Sequence, residues 1–278
     1  MGFRDLLAIA LSAEQDRAAF SALEILAKDH GARASVTLVE IQPDPAYTAD
    51  GYVLSDAYMR ILADAHEAFL AEKQRVSALA ARASRPFALR TLVATTGISS
   101  GLAAVEARHA DLTILTRPDH GDEARRAIFE GVLFGSGRPV LLTPPEAKLT
   151  VLGENIAVAW NASREAARAL SDAAPLIDHA KTVTVMTVDA KPGFEGHGQA
   201  PGMDVTAHLA RRGINAQLSN IDGMGRSVEA ALLDECRAIG ADLLVLGGYG
   251  HARFQERIFG GVTRALCHNA PLPLFLSH

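Results

Sequence analysis

The stretch NIAVAWNASREAARALSD, residues 155–172, decides the fold because its pattern occurs twice in the chain. Its counterpart, LLAIALSAEQDRAAFSAL at residues 6–23, has the same order of an apolar run, a short polar turn and an alanine-rich segment. A second matching pair, HADLTIL at 109–115 and GADLLVL at 240–246, lies further along each half. An internal repeat of this length predicts two similar domains in one chain.

The two halves differ in length at one place. Ser12 matches Asn161 at an offset of 149 residues, whereas Asp111 matches Asp242 at an offset of 131, so the second half is 18 residues shorter between these anchors. Residues 55–83 of the first half have a helix-forming composition, whereas the second half has only a short glycine-rich tract, residues 191–202, before its next helical pattern. We therefore expect a long extra length of helix in the first half.

Short Val-, Ile- and Leu-rich runs alternate with helical patterns in both halves. This alternation predicts parallel strands joined by right-handed helical crossovers, with helices on both faces of each sheet. The predicted fold is α/β: two doubly wound, five-stranded parallel sheets in a pseudo-twofold tandem repeat. The domains are predicted at residues 1–146 and 151–278, divided near the paired prolines of TPPEAKLTVLGE, residues 143–154. The predicted strands are 5–11, 35–41, 87–93, 111–116 and 139–143, then 155–160, 182–188, 214–220, 242–247 and 273–277.

Composition excludes several classes of function. A formal net charge of −5 gives no basic field for a nucleic-acid backbone, so no nucleic-acid partner is expected. The N-terminal apolar run is too short to span a membrane and has no cleavage pattern, which predicts a cytoplasmic protein without a membrane partner. Neither Cys236 nor Cys267 has zinc-like or CxxC spacing, so both are predicted to be core residues and no metal site is predicted.

The stretch GGYGHARFQERIFGGVT, residues 247–263, follows the apolar run ADLLVLG. Its pattern is Gly247-x2-Gly250-x9-Gly260-Gly261, which is neither a P-loop nor the GxGxxG of a dinucleotide fold. Glycines can serve turn geometry alone. They also allow a backbone to approach a phosphate at a helix N-terminus, where free N–H groups and the helix dipole favour an anion.

These features resemble the universal stress protein family, in particular its tandem members. The nucleotide-binding branch of that family carries Gly-x2-Gly-x9-Gly-[Ser/Thr], which this sequence matches at Gly247, Gly250 and Gly260. The resemblance implies strand order 3-2-1-4-5 in each half. It also implies a stress-response or regulatory protein that binds ATP or AMP, with or without Mg, between the first and fourth strands of the second half.

The resemblance assigns the nucleoside contacts to the ends of the first two strands and the phosphate contacts to the glycine stretch. These site residues are Ala159, Asn161, Val188, Gly247, Gly250, Gly260, Gly261, Val262 and Thr263. Two of them depart from the family pattern. Asn161 stands where the family has an acidic residue, and Gly261 stands where it usually has Ser or Thr.

The corresponding stretch of the first half lacks the glycines. Thr116, Arg117, Pro118 and Asp119 stand opposite Gly247–Gly250, and the loop is three residues shorter. We therefore expect one nucleotide per chain, bound by the second half, with the first half pairing against it as in a family dimer. A homodimer of the whole chain stays open.

Two alternatives to nucleotide binding remain at this level. One is a non-nucleotide interaction or scaffold protein of the same fold. The other is a slow ATP hydrolase. No set of nucleophile, base and orienting group is visible by spacing, and the glycine stretch offers neither an evident positioned water nor an evident set of carboxylates for a metal, so no catalytic residue is predicted.

Overall fold

The computed structural model describes residues 2–44, 47–48, 51–52, 56–193, 199–248 and 261–278. Beyond the first two residues, the chain divides into two compact units, which we call the first unit, Phe3–Arg138, and the second unit, Pro139–His278. Within the described ranges, no helix is long and apolar enough to cross a membrane.

The first unit is built on parallel strands in the order β5 (Ala88–Thr95), β2 (Arg33–Gln42), β1 (Asp5–Ala10) and β6 (Leu112–Thr116). Leu6–Ala10 of β1 are all buried, as expected of a strand that carries helices on both faces. The order of the predicted first four strands, 3-2-1-4, is therefore confirmed. The elements are β1 Asp5–Ala10, α1 Arg17–His30, β2 Arg33–Gln42, β3 Tyr47–Thr48, β4 Gly51–Tyr52, α2 Asp56–Arg82, β5 Ala88–Thr95, α3 Thr96–Ala107, β6 Leu112–Thr116 and α4 Glu123–Gly135.

The second unit has the strand order β10 (Gln217–Ile221), β9 (Thr182–Val188), β8 (Asn155–Ala159), β11 (Leu243–Gly247), β12 (Leu274–Ser277) and β7 (Val140–Thr143). The first five of these strands are parallel and reproduce the predicted order 3-2-1-4-5. The elements are β7 Val140–Thr143, β8 Asn155–Ala159, α5 Arg164–Asp172, α6 Ala174–Ile177, β9 Thr182–Val188, α7 Met203–Arg211, β10 Gln217–Ile221, α8 Val228–Ala238, β11 Leu243–Gly247, α9 Gly261–Asn269 and β12 Leu274–Ser277.

The predicted α/β fold class is confirmed, and the pairing of strand β7 adds a feature that the prediction did not contain. This strand comes from the first half of the sequence, but it lies in the second unit, where it pairs antiparallel with β12. Leu141 faces Phe275, and both side chains are fully buried. The compact units therefore divide at Arg138 and Pro139, ahead of the paired prolines. The pseudo-twofold relation of the halves stays a prediction.

The length difference between the halves lies where the sequence predicts it. Helix α2 has 27 residues and its counterpart α7 has 9, a difference of 18. Only Phe69 and Val76 of α2 are buried, so most of this helix is a solvated surface.

Two aspartates that the repeat aligns serve the backbone. The carboxylate of Asp111 accepts hydrogen bonds from the N–H groups of Arg4 and Asp5, and that of Asp242 accepts from Gly153, Glu154 and Asn155. Each aspartate thus fixes the chain as it enters the first strand of its half.

Both cysteines are buried core residues, as predicted. Burial raises the pKa of Cys236 to about 12. This thiol therefore carries no nucleophilic thiolate at neutral pH.

Candidate functional site

The switch point of the second unit lies between β8 and β11. From β8 the chain continues to β9 and β10 on one side, whereas β11 and β12 lie on the other side. Ala159, the last residue of β8, is in register with Leu246 of β11 and with Met186 of β9. The carboxyl ends of these strands therefore meet at one edge, where open α/β sheets bind ligands.

The turn after β8 is held by its own polar side chains. Trp160 donates its N–H to the carbonyl of Met186 at 2.8 Å and continues the ladder by one residue. The Oδ1 atom of Asn161 accepts from the N–H of Ser163 at 3.2 Å, and the intervening Ala162 has φ +57°. Ser163 then caps α5 by accepting a hydrogen bond from the N–H of Ala166.

Gly247 ends β11 directly beneath the first turn of α5. A Cβ atom at Gly247 would lie 2.5 Å from the backbone nitrogen of Ala166 and 2.6 Å from the carbonyl carbon of Glu165. No side chain fits there unless the helix moves. Gly247 is therefore required for packing within the unit, whatever the unit binds.

Glu165 is a buried carboxylate that the sequence does not single out. It lies in the first turn of α5 and is 6% exposed, while its partner Arg164, at 2.6 Å, is largely in solvent. Burial by itself raises the pKa of Glu165, but hydrogen bonds from Arg164, from its own backbone N–H and from Ser163 together lower it below the usual value. A negative charge is thus fixed next to Gly247.

Val188 is the last residue of β9 and lies two residues past Met186, which pairs with the last residue of β8. The Met186 carbonyl points towards β8, where it accepts from Trp160. Backbone groups two residues apart in a strand point to the same side, so the N–H and C=O of Val188 also face this side. Asp189, with φ +49°, turns to the other side, where its N–H binds the carbonyl of Ile221 and its carboxylate binds the N–H of Gly223.

Helix α9 begins at Gly261, the first residue described after 248. It follows β11 and runs back to β12, so its N-terminus lies at the carboxyl edge of the sheet. Thr263 in its first turn is buried, whereas Gly261 is exposed and a Cβ there would meet no atom within 4 Å. Both backbone groups of Gly248 are hydrogen-bonded: its N–H donates to the Ser277 carbonyl at 2.7 Å, and its carbonyl oxygen accepts from Nδ1 of His278 at 2.9 Å.

The structure brings several predicted site residues to this one edge. These are Ala159, Asn161, Val188, Gly247, Gly261, Val262 and Thr263. Gly250 and Gly260 lie outside the described residues. Sequence reasoning missed Glu165 and Asp189; an acidic residue in the first turn of a helix and an Asp at a strand end were the available signals.

The same edge of the first unit is occupied by a buried ion pair. Arg125, in the first turn of α4, forms two hydrogen bonds with the carboxylate of Asp16, one of them between Nη2 and Oδ2 at 3.0 Å. It also binds Gln15 at 3.1 Å and Asp122 at 3.0 Å. Asp16 is fully buried and Arg125 is 7% exposed. The cation at this helix start is thus already neutralised.

Sequence comparison gives the family of the second half. The sequence model of the Universal stress protein family matches residues 153–278, which include β8, β11, α9 and the whole candidate site. This half of the chain belongs to the universal stress protein family. The predicted family is thereby confirmed. No curated protein matches the sequence.

Solved universal stress proteins extend the likeness to both halves. One from Archaeoglobus fulgidus is 17% identical with a TM-score of 0.67, covering 97% of this chain and 95% of its own. A putative universal stress protein from Pseudomonas aeruginosa is 12% identical with a TM-score of 0.59, covering 99% of this chain and 93% of its own. At these identities the likeness concerns the fold, which agrees with a tandem universal stress protein.

Proposed function

We propose that the second unit binds one adenine nucleotide at the edge formed by β8, β9, β11 and the start of α9, in a stress-response or regulatory protein. The observation that carries the proposal is that the N-terminus of α9 lies at the carboxyl edge of the sheet, at the end of the glycine stretch that matches the nucleotide-binding family pattern. Free N–H groups of a first helical turn and the positive end of the helix dipole suit a phosphate.

The nucleoside contacts follow from the strand ends. The N–H and C=O of Val188 face the space beyond β8, where they can pair with the edge of an adenine ring. Asn161 is exposed, and because its Oδ1 already binds Ser163, its NH2 group is the one left to donate to a ribose hydroxyl. Where the family has an acidic residue that accepts a hydrogen bond, this chain thus has an amide group that donates one.

The proposal does not require a metal ion held by protein side chains. Within the described residues, no group of three or more His, Cys, Asp or Glu side chains is placed to hold a metal ion. Mg²⁺ bound together with ATP would therefore be held mainly by the phosphates and water, as this ion often is.

Titration calorimetry of the full chain with ATP tests the proposal. We expect one site per chain, and we expect Gly260→Val to weaken binding by roughly 100-fold, equivalent to about 2.7 kcal/mol, because a branched side chain takes the space that the phosphates need. Gly193→Val is the matched control, since a Cβ there meets nothing within 4 Å. Wild-type affinity in a folded Gly260→Val protein would favour the non-nucleotide interaction protein instead.

A second prediction concerns a gain of affinity. Gly261→Ser restores the hydroxyl that the family pattern carries, and the open space at this position accepts a Cβ. Serine is also a favoured residue at a helix start. We expect ATP to bind about threefold to tenfold more tightly, the range of one added hydrogen bond. Gly261→Ala separates the hydroxyl from the helix effect, and equal affinities of the Ser and Ala variants would contradict the phosphate contact.

A further inference from the structure

We propose that the first unit binds a small organic cation with an apolar body, in a cavity at the carboxyl ends of β1 and β2. The cavity has a volume of about 390 Å³, which lies within the usual range of small-molecule sites. It is bounded by these strand ends, by α2 and by the first turn of α4. The proposal goes beyond nucleotide binding, which we assign to the second unit.

The cavity occupies the place of the base site in the second unit, with a changed chemistry. In the aligned halves Leu6 corresponds to Asn155; Leu6 pairs with Ala34, and Asn155 pairs with Thr182. Ala34 therefore corresponds to Thr182, and Glu40, six residues after Ala34, corresponds to Val188. Leu11 likewise stands in the place of Trp160. A carboxylate therefore lines the cavity at the position where the second unit has a valine.

Glu40 is buried far more deeply than a carboxylate usually is. Its side chain is 2% exposed, and its described partners are the His66 ring at 3.1–3.2 Å and the Gln42 amide at 3.0 Å. A carboxylate offers about four acceptor positions, so these two donors do not fill all of them. A buried carboxylate without a full set of donors costs free energy, which a cationic ligand recovers.

The other charges at and near the wall are already paired. Glu72 is the second carboxylate; it accepts from the N–H of Ala13 at 2.7 Å and pairs with Arg75, whose side chain is 63% exposed. Arg125, in the same turn of α4 as the lining residue Ala124, is neutralised by Asp16 and offers no free charge to an anion. Glu72 and Arg75 therefore neutralise each other, and Glu40 is the lining carboxylate without an arginine or lysine partner in the described structure.

The rest of the wall is apolar, which sets the body of the ligand. Leu11, Ile41, Ala65 and Phe69 line the space beside the carboxylates. An amidinium or ammonium group at Glu40, with an aromatic or aliphatic body on these side chains, satisfies both parts of the wall. A phosphate or carboxylate ligand would place like charges together.

Benzamidine, with benzoate as the anion of similar size, tests the proposal on the full chain by titration calorimetry. We expect benzamidine to bind and benzoate not to bind. Glu40→Gln should weaken benzamidine binding at least tenfold, and Ala68→Phe should do the same by filling the cavity from its exposed rim. Glu67→Gln, an exposed carboxylate on the same helix, should bind like the wild type.

The two variants change different properties of the cavity: Glu40→Gln removes the charge, whereas Ala68→Phe leaves Glu40 in place and reduces the volume. Each is compared with the wild type by melting temperature and by ATP affinity, which should not change because the nucleotide lies in the second unit. The proposal is overturned if benzamidine fails to bind at 10 millimolar, if benzoate binds equally well, or if both variants bind benzamidine like the wild type.

Discussion

Arg125→Met is expected to lower the free energy of unfolding of the first unit by about 3–5 kcal/mol. The change leaves the fully buried carboxylate of Asp16 without its cation. The backbone N–H groups of Leu11 and Ser12, at 2.8 and 2.9 Å, would then be its main remaining partners in the described structure. Urea unfolding followed by circular dichroism measures the loss, and hydrogen exchange in β1 and α4 assigns it to the first unit.

The double variant Arg125→Met, Asp16→Asn is the control for this prediction. An asparagine can still accept from Leu11 and Ser12 but carries no charge, so we expect it to recover at least half of the lost free energy. If the single and double variants unfold at the same urea concentration, the loss comes from packing of the arginine side chain, and the buried charge is not its cause.

Gly247→Ala is expected to destabilise the second unit by about 2–4 kcal/mol, because overpacking against backbone cannot be relieved by a side-chain rotation. The new Cβ would lie 2.5 Å from the nitrogen of Ala166, so α5 must move away from β11. Thermal unfolding and ATP titration of the same preparation measure the two consequences, since the displaced helix carries the turn of Asn161.

Gly261→Ala provides the matched control in the same unit. Its Cβ meets no atom within 4 Å, so we expect the free energy of unfolding to change by no more than about 0.5 kcal/mol. A Gly247→Ala protein as stable as this control would show that α5 adapts freely, and Gly247 would then lose its packing role.

The site could be predicted from the sequence in outline because its parts are local. Ser163 precedes a helical pattern and caps it, and Gly261, near the end of the glycine stretch, begins a helix. The strand order of the second unit follows from the resemblance to the family. That the site residues share one edge follows from the order, since carboxyl ends of parallel strands adjoin.

The reason for Gly247 could not be read from the sequence. With the halves aligned at Ser12 and Asn161, α5 begins two residues earlier than α1. The two earlier helical residues cover the end of β11, and only glycine fits beneath them; in the first unit, where the helix begins later, Thr116 stands at this position. A glycine that resembles a ligand contact is thus also a packing residue.

The sequence by itself determined the two-fold repetition, the α/β class and the place of the long helix, because each depends on local composition and periodicity, whereas the strand order came from the family resemblance. Only the tertiary structure decided where β7 pairs and how Asp16 meets Arg125. The run VLLT, residues 140–143, is equally apolar whichever strand lies beside it, and backbone hydrogen bonds do not distinguish partners. Asp16 and Arg125 are 109 residues apart, so no local pattern links them; their pairing follows from burial, which requires each charge to find its opposite.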